Sequence, residues 1–307
     1  MKVLGVGEIV LDKSCILQSY PEEGAKAQPQ KVEYSIGGPV PAALILLSRL
    51  GAECDLVTSI GDDDAGYKLK RKLQKDNIRL IAHKQRSTKS NTVLVNEVNG
   101  SRTIIRDYQT HTPIVSVSKR LLKKADLVIF DRHEIEAFDF IMKHKRPDTK
   151  VVIDPSTEVS AKTLKMFKHA DYPIVPVESL SKLRRHEDFH GNLKYLYKIA
   201  GKPVIITAGE KGALLYDGKR IQLIPPVDIT CVDALGAGDI FRGAFGYGVM
   251  NNWDLHESTH FANVVAGLQC TKIGNGTAIP TKEEIFTFKK SAVSRSVVLQ
   301  EIIAMAT

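Results

Sequence analysis

The chain has 307 residues, 43% of them hydrophobic, with a formal net charge of +8. That composition fills the core of one large α/β domain, and no run approaches the roughly 18 apolar residues of a membrane helix. Four widely separated cysteines, Cys15, Cys54, Cys231 and Cys270, form no C-x-x-C pair, which argues against a disulfide framework or structural zinc and for a reducing, cytoplasmic setting. The positive charge is spread out. Its densest run, Lys68 to Lys75, carries apolar residues at helical spacing and reads as a solvated helix face rather than a nucleic-acid patch. The first residues are too poor in apolar side chains for a signal peptide.

In chain order, Lys2 to Leu11 reads as one buried strand ending at Asp12. An acid at the end of a central parallel strand lies where such sheets bind ligands. Residues 13–36 alternate polar and apolar around Tyr20-Pro21-Glu22-Glu23-Gly24-Ala25-Lys26, as short strands joined by a turn would, and Lys26 reads as a solvated lysine. Gly37-Gly38 lets the backbone approach a ligand, Pro39 and Pro41 stiffen the turn, and a buried helix follows to a C-cap glycine, Gly51. Asp62-Asp63-Asp64 looks like a metal loop but reads as a strand-to-helix turn with N-capping acids. Thr92 to Asp107 alternates on both sides of Asn99-Gly100, a type I′ hairpin signal. Ala125 to Asp131 and Lys150 to Asp154 are apolar strands ending in acids, separated by helical patterns. That βαβ repetition predicts a parallel sheet covered on both faces. Pro203 to Ala213 is a strand running into T-x-G-x-x-G, with Thr207, Gly209 and Gly212 at the fixed places. Residues 281–307 read as a terminal helix and tail.

The most informative stretch is Val232-Asp233-Ala234-Leu235-Gly236-Ala237-Gly238-Asp239-Ile240-Phe241. Its small-residue loop runs into a helix of small residues, 241–249. The first amides of such a helix are unpaired and sit at the positive end of its dipole, which suits a phosphoryl group. Asp239 at the mouth of that hole could take a proton from a hydroxyl, or it could simply be an N-cap.

Asp-Ala-Leu-Gly-Ala-Gly-Asp resembles the C-terminal signature of the ribokinase-like (PfkB) sugar kinases, D-[TA]-x-G-A-G-D. Gly37-Gly38 and the residues after it resemble the N-terminal signature, G-G-x-x-x-N-x-A, without its asparagine. The resemblance spans about residues 1–285. It implies a three-layer α/β/α ribokinase-like fold in one domain over 1–307, with a small β lid from segments near 13–36 and 92–107. It implies ATP-dependent phosphorylation of a sugar hydroxyl, with Asp239 as base and Gly236, Ala237 and Gly238 stabilising the transferring phosphate. Asp12, Gly37, Gly38, Asn96 and Asp107 would contact the sugar. Thr207, Gly209 and Gly212 would lie along ATP, and Asn263 beside adenine. Many relatives carry an N-x-x-E motif where Val177, Glu178 and Leu180 stand here, so Mg2+ would be held mainly by nucleotide and water. Asp233 and the loop at 271–280 would hold a monovalent cation such as K+, and the lid would form a homodimer. The lost asparagine disfavours ribose and nucleosides. Ketohexokinase-like and sulfofructose-kinase-like features favour a ketose or an acid-bearing ketose, with ribokinase or nucleoside kinase as alternative. A non-catalytic sugar or nucleotide sensor on the same fold is the rival of another class. No nucleic-acid or membrane partner is expected.

Overall fold

The structure is a computed structural model that describes residues 1–98, 101–107, 111–155, 160–183, 186, 188–274, 276 and 278–288. Apolar β-branched runs form the strands. They are β1 (Lys2–Val6), β2 (Val10–Leu17), β3 (Lys31–Gly37), β4 (Glu53–Ile60), β5 (Ile78–Lys84), β6 (Ser90–Asn96), β7 (Arg102–Arg106), β8 (Leu127–Asp131), β9 (Lys150–Asp154), β10 (Tyr172–Pro176), β11 (Val204–Thr207), β12 (Ala213–Tyr216) and β13 (Ile221–Ile224). The large sheet runs β13-β12-β11-β10-β9-β8-β1-β4-β5. Its pairs are parallel from β5 to β11 and antiparallel from β11 to β13. The small sheet runs β3-β2-β6-β7.

Side-chain alternation divides the large sheet between two cores. Leu127 and Ile129 of β8 join a core with helices Pro39–Arg49, Ala237–Met250 and Leu255–Cys270. Val128 and Phe130 face the other way, against helices Ile135–His144, Ala161–His169 and Phe189–Ala200. The fold is therefore three-layer α/β: helices on both faces of a mostly parallel sheet, with a second, smaller sheet beside it. Helix Asp64–Lys75 is N-capped by Asp63, which accepts from Gly66 N at 2.8 Å. The three acids thus form a turn, and the lysine run lies along that helix.

One expectation is corrected. Lys2 to Leu11 is two strands, and Asp12 lies inside β2 of the small sheet, not at the end of a central strand. The break is at Gly7, where a Cβ would lie 2.4 Å from Asp131 Oδ2 and 2.5 Å from Val40 Cγ2. Only bare backbone passes there, and Glu8 N then donates to Asp131 Oδ2 (2.8 Å). Periodicity along the sequence does not reveal a chain changing sheets between two apolar runs. The Asn99-Gly100 turn lies outside the described residues, although its flanking strands pair antiparallel as expected.

Candidate active site

Helix Ala237–Met250 begins at Gly236, whose φ of 76° is a left-handed conformation that suits glycine, and no side chain caps it. Within the loop, Ala237 N donates to Ala234 O (3.2 Å) and Asp239 N to Gly236 O (3.0 Å). The amides of Gly236 and Gly238 have no such partner among the described residues. Glycines also seat the helix: a Cβ at Gly243 would lie 3.0 Å from Ala43 Cα, and one at Gly246 would lie 2.7 Å from Leu127 Cδ2. This close packing sets the loop over the carboxyl ends of β8 and β9.

Those strand ends carry Asp131 and Asp154, register partners that are both buried. Arg242, one turn into the helix, pairs with Asp154 Oδ1 at 3.1 Å and stands 3.8 Å from Asp239 Oδ1. Burial pushes Asp239 up to about 7, the charge of Asp154 adds to the rise, and Arg242 opposes it. The Asp239 side chain keeps 22% of its surface exposed, and water entering there screens part of that effect. A carboxylate held near neutrality is suited to accept a proton at physiological pH. Burial, with help from Glu134, Asp154 and Glu8, drives Asp131 well above the usual carboxylate range.

On the small sheet, Asp12 is buried and accepts from Asn91 Nδ2 (2.8 Å). Burial raises its pKa and the Asn91 hydrogen bond opposes the rise. Cross-strand register puts Ser35, Asp12, Asn91 and Arg106 in one row on one face. Gly37 has a reason to be glycine, because a Cβ there would lie 2.4 Å from Asp12 Oδ2. At Gly38, φ is 105° and a Cβ would lie 2.3 Å from Glu8 O. Contacts run from Asp12 through Gly37, Gly38 and Glu8 to Asp131, then through Asp154 and Arg242 to Asp239.

Beside the loop is a cavity of about 580 Å³, a size suited to a nucleotide. Thr207, Gly209, Gly212, Ala237, Gly238 and Asn263 all line it. A Cβ at Gly212 would lie 2.3 Å from Ile224 O, so only glycine lets the β11–β12 connection pass there. A second cavity, of about 630 Å³, lies where β1, β4 and β5 begin, at the edge opposite to the one such sheets use for ligands.

The pfkB carbohydrate-kinase family profile matches residues 2–282. The chain belongs to the pfkB family of carbohydrate kinases. It is 24% identical to a ribokinase of Bacillus subtilis, over 91% of this chain and 96% of that one. It is 26% identical to mouse ketohexokinase, over 88% and 96%. Against the bifunctional protein HldE of a Nitratiruptor species it is 24% identical over 94% of its own length, yet spans only 65% of that protein. The ribokinase structure from Thermotoga maritima superposes with a TM-score of 0.82 at 21% identity, covering 94% of this chain and 99% of that one.

Set in this pfkB frame, the expected residues divide. Ala237 and Gly238 line the cavity with Thr207, Gly209 and Gly212, Gly236 and Asp239 flank them in the chain, and the Ala237 amide is spent inside the loop. Asn263 lines the cavity, but its amide N–H groups hold Ile224 O and Pro225 O, both at 3.0 Å. Asn96 is not brought to Asp12. It pairs with Leu17 five positions along β6 from Asn91, about 17 Å at strand rise, and its Oδ1 accepts from Val98 N to shape a turn. Asp107 is exposed and hydrogen-bonded by Ser90 Oγ, near the Asp12 end of the lid. Asn91 and Arg242 are additions that sequence reasoning missed. The alternation of β6 held a signal for Asn91, since register with Asp12 follows from pairing. Arg242 read as one residue of a small-faced helix. Asp233 does not fit a monovalent-cation site: its carboxylate accepts from Leu235 N (3.0 Å), Gly274 N (2.7 Å) and the Arg102 guanidinium. Asn275 and Thr277 of the closing loop lie outside the described residues.

Proposed function

We propose that this protein transfers the γ-phosphoryl group of ATP to a hydroxyl of a small sugar, a ketose or an acid-bearing ketose. The observation that carries the reading is Asp239, poised near neutrality at the uncapped start of helix Ala237–Met250 and beside the 580 Å³ cavity. Asp239 takes the proton of the sugar hydroxyl as its oxygen bonds to the γ-phosphorus, and the bond to the bridging oxygen breaks to release ADP. The Gly236 and Gly238 amides meet the charge gathering on the transferring group. Asp12, oriented by Asn91, accepts hydrogen bonds from sugar hydroxyls. Mg2+, when bound with the nucleotide, would neutralise phosphate charge. Among the described residues no group of three or more His, Cys, Asp or Glu is placed to hold a metal by itself.

The ketose reading draws on the mouse ketohexokinase relative and on the missing signature asparagine, whose place after Gly37-Gly38 is taken by Ala42. The acid-bearing variant draws on Arg106, which shares a face with Asp12. A homodimer through the lid is supported by exposed Tyr34 and Ile105 on the sheet face opposite Asp12. Four free cysteines suit a cytoplasmic setting, and no described helix is long and apolar enough to cross a membrane.

The test is ADP release from Mg-ATP across ketoses, aldoses, sugar acids, sulfosugars and nucleosides. Turnover strongest with a ketose and abolished by Asp239→Ala is expected. Turnover confined to ribose or nucleosides would overturn the ketose assignment. Nucleotide binding without turnover on any sugar would point to a sensor.

A further inference from the structure

Arg102 opens β7, the edge strand of the lid. Register places it opposite Val95, which lies opposite Ile16, on the same sheet face as Asp12. From there its guanidinium reaches Asp233 Oδ2, joining the lid to the loop that starts the anion hole. The pair is enclosed, with side-chain exposures of 13% and 6%. Among the described residues, the other groups bonded to that carboxylate are also N–H donors, from Leu235 and Gly274. The nearby Leu235 carbonyl is taken by Gln269 Nε2 at 2.7 Å. A hard monovalent cation needs several oxygens. Here it would meet the positive ends of amides and a fixed guanidinium.

We propose that Arg102 takes the place of a monovalent cation in this protein. Its guanidinium supplies the positive charge beside residues 233–239, and no K+ binds at Asp233. Arg is suited to the task because its charge is permanent and its planar fork satisfies a carboxylate directionally. Asp233 is thereby fixed, and its Oδ1 in turn holds Leu235 N, one residue before Gly236. Arg102 is a positioning residue: it acts on phosphate through the loop. Because it belongs to the lid, the charge reaches the loop from the sugar-binding half of the molecule. This role rests on the phosphotransfer reading of residues 233–239 and holds whichever sugar is accepted.

The experiment uses the full chain and Mg-ADP as probe. Affinity is measured by calorimetry, and thermal unfolding by circular dichroism, in KCl and in tetramethylammonium chloride at matched ionic strength. The wild type is expected to show the same affinity and the same melting temperature in both salts. Arg102→Ala should lose roughly tenfold in affinity in tetramethylammonium, the scale of one charge-assisted contact, and regain much of it in K+. Arg102→Lys, which keeps the charge, should stay near wild type in both salts and guards against a folding defect in the alanine variant. A K+-selective gain in wild-type affinity or melting temperature would overturn the proposal. An Arg102→Ala protein that matches wild type in both salts, or is weakened without K+ recovery, would overturn it too. Wild-type protein that binds no Mg-ADP in either salt would overturn the phosphotransfer reading itself, an outcome distinct from the others.

Discussion

Two helices begin at the candidate site, and they begin alike. Helix Pro39–Arg49 follows Gly38 with φ 105°, and helix Ala237–Met250 follows Gly236 with φ 76°. They pack against each other, with Gly243 on Ala43. Both point the positive end of a helix dipole toward the same region. They differ in what they can donate. The first has proline at two of its first three positions, so Val40 alone has an N–H there. The second has Ala237, Gly238 and Asp239, with the Gly236 and Gly238 amides unspent. A dipole without N–H groups is a poor anion site, because binding needs directed donors. Under the proposed reading, phosphate belongs at the second helix and the hydroxyls of the sugar at the first.

The largest test of that contrast is Asp239→Asn. It should lower kcat by about 10²–10⁴, the usual contribution of a general base. In the wild type, kcat/KM should rise with pH through about 7 as Asp239 loses its proton. The same elevated pKa means that the folded state holds a proton which the unfolded chain has released. Stability therefore falls as pH rises from the ordinary carboxylate range to about 7. Asp239→Asn should remove that fall, giving an inactive protein with a higher melting temperature at pH 8, measurable by calorimetry. A lower melting temperature would contradict the burial assigned to this carboxylate.

Arg242→Gln comes next. It removes the Arg242 guanidinium from buried Asp154, and breaking a buried pair costs about 3–5 kcal/mol. It also removes the charge that opposes the rise in Asp239, so the residual pH profile should move to higher pH. A profile that stays in place would separate Arg242 from the base.

Gly38→Ala is smaller and should act on stability. Its Cβ would meet Glu8 O at 2.3 Å from a left-handed backbone, a strain of about 1–3 kcal/mol readable by urea denaturation. Gly236→Ala also sits at positive φ, but under the proposed mechanism it should lower kcat more than it lowers stability, since its amide is unspent at the start of the helix. Equal effects of the two would erase the distinction between the helices. The smallest change is expected from Pro41→Ala, which restores one N–H to the first helix. Stability should shift by less than about 1 kcal/mol, and inhibition by inorganic sulfate should become stronger.

Much of this was legible in the chain itself. The apolar strands that end in Asp131 and Asp154, the turn capped by Asp63, and the glycine loop before Asp239 are local matters of side-chain period and backbone freedom. They emerge in the structure where sequence reasoning put them. Thr207, Gly209 and Gly212 were singled out by the resemblance of their T-x-G-x-x-G loop to the family's nucleotide-side loop, and all three line one cavity. Where Asp12 sits was not legible, because an apolar run gives no sign that its second half joins another sheet. Nor were the partners that define the chemistry. Asn91 lies 79 residues from the Asp12 it orients, and Arg102 lies 131 residues from Asp233. Arg242 is only three residues from Asp239, yet its role depends on Asp154, brought beneath it by β9. Short-range sequence set the conformations. Charge pairing and burial act through space, so only the folded chain decided which acids stay ionised, which amides remain open to phosphate, and which cation faces Asp233.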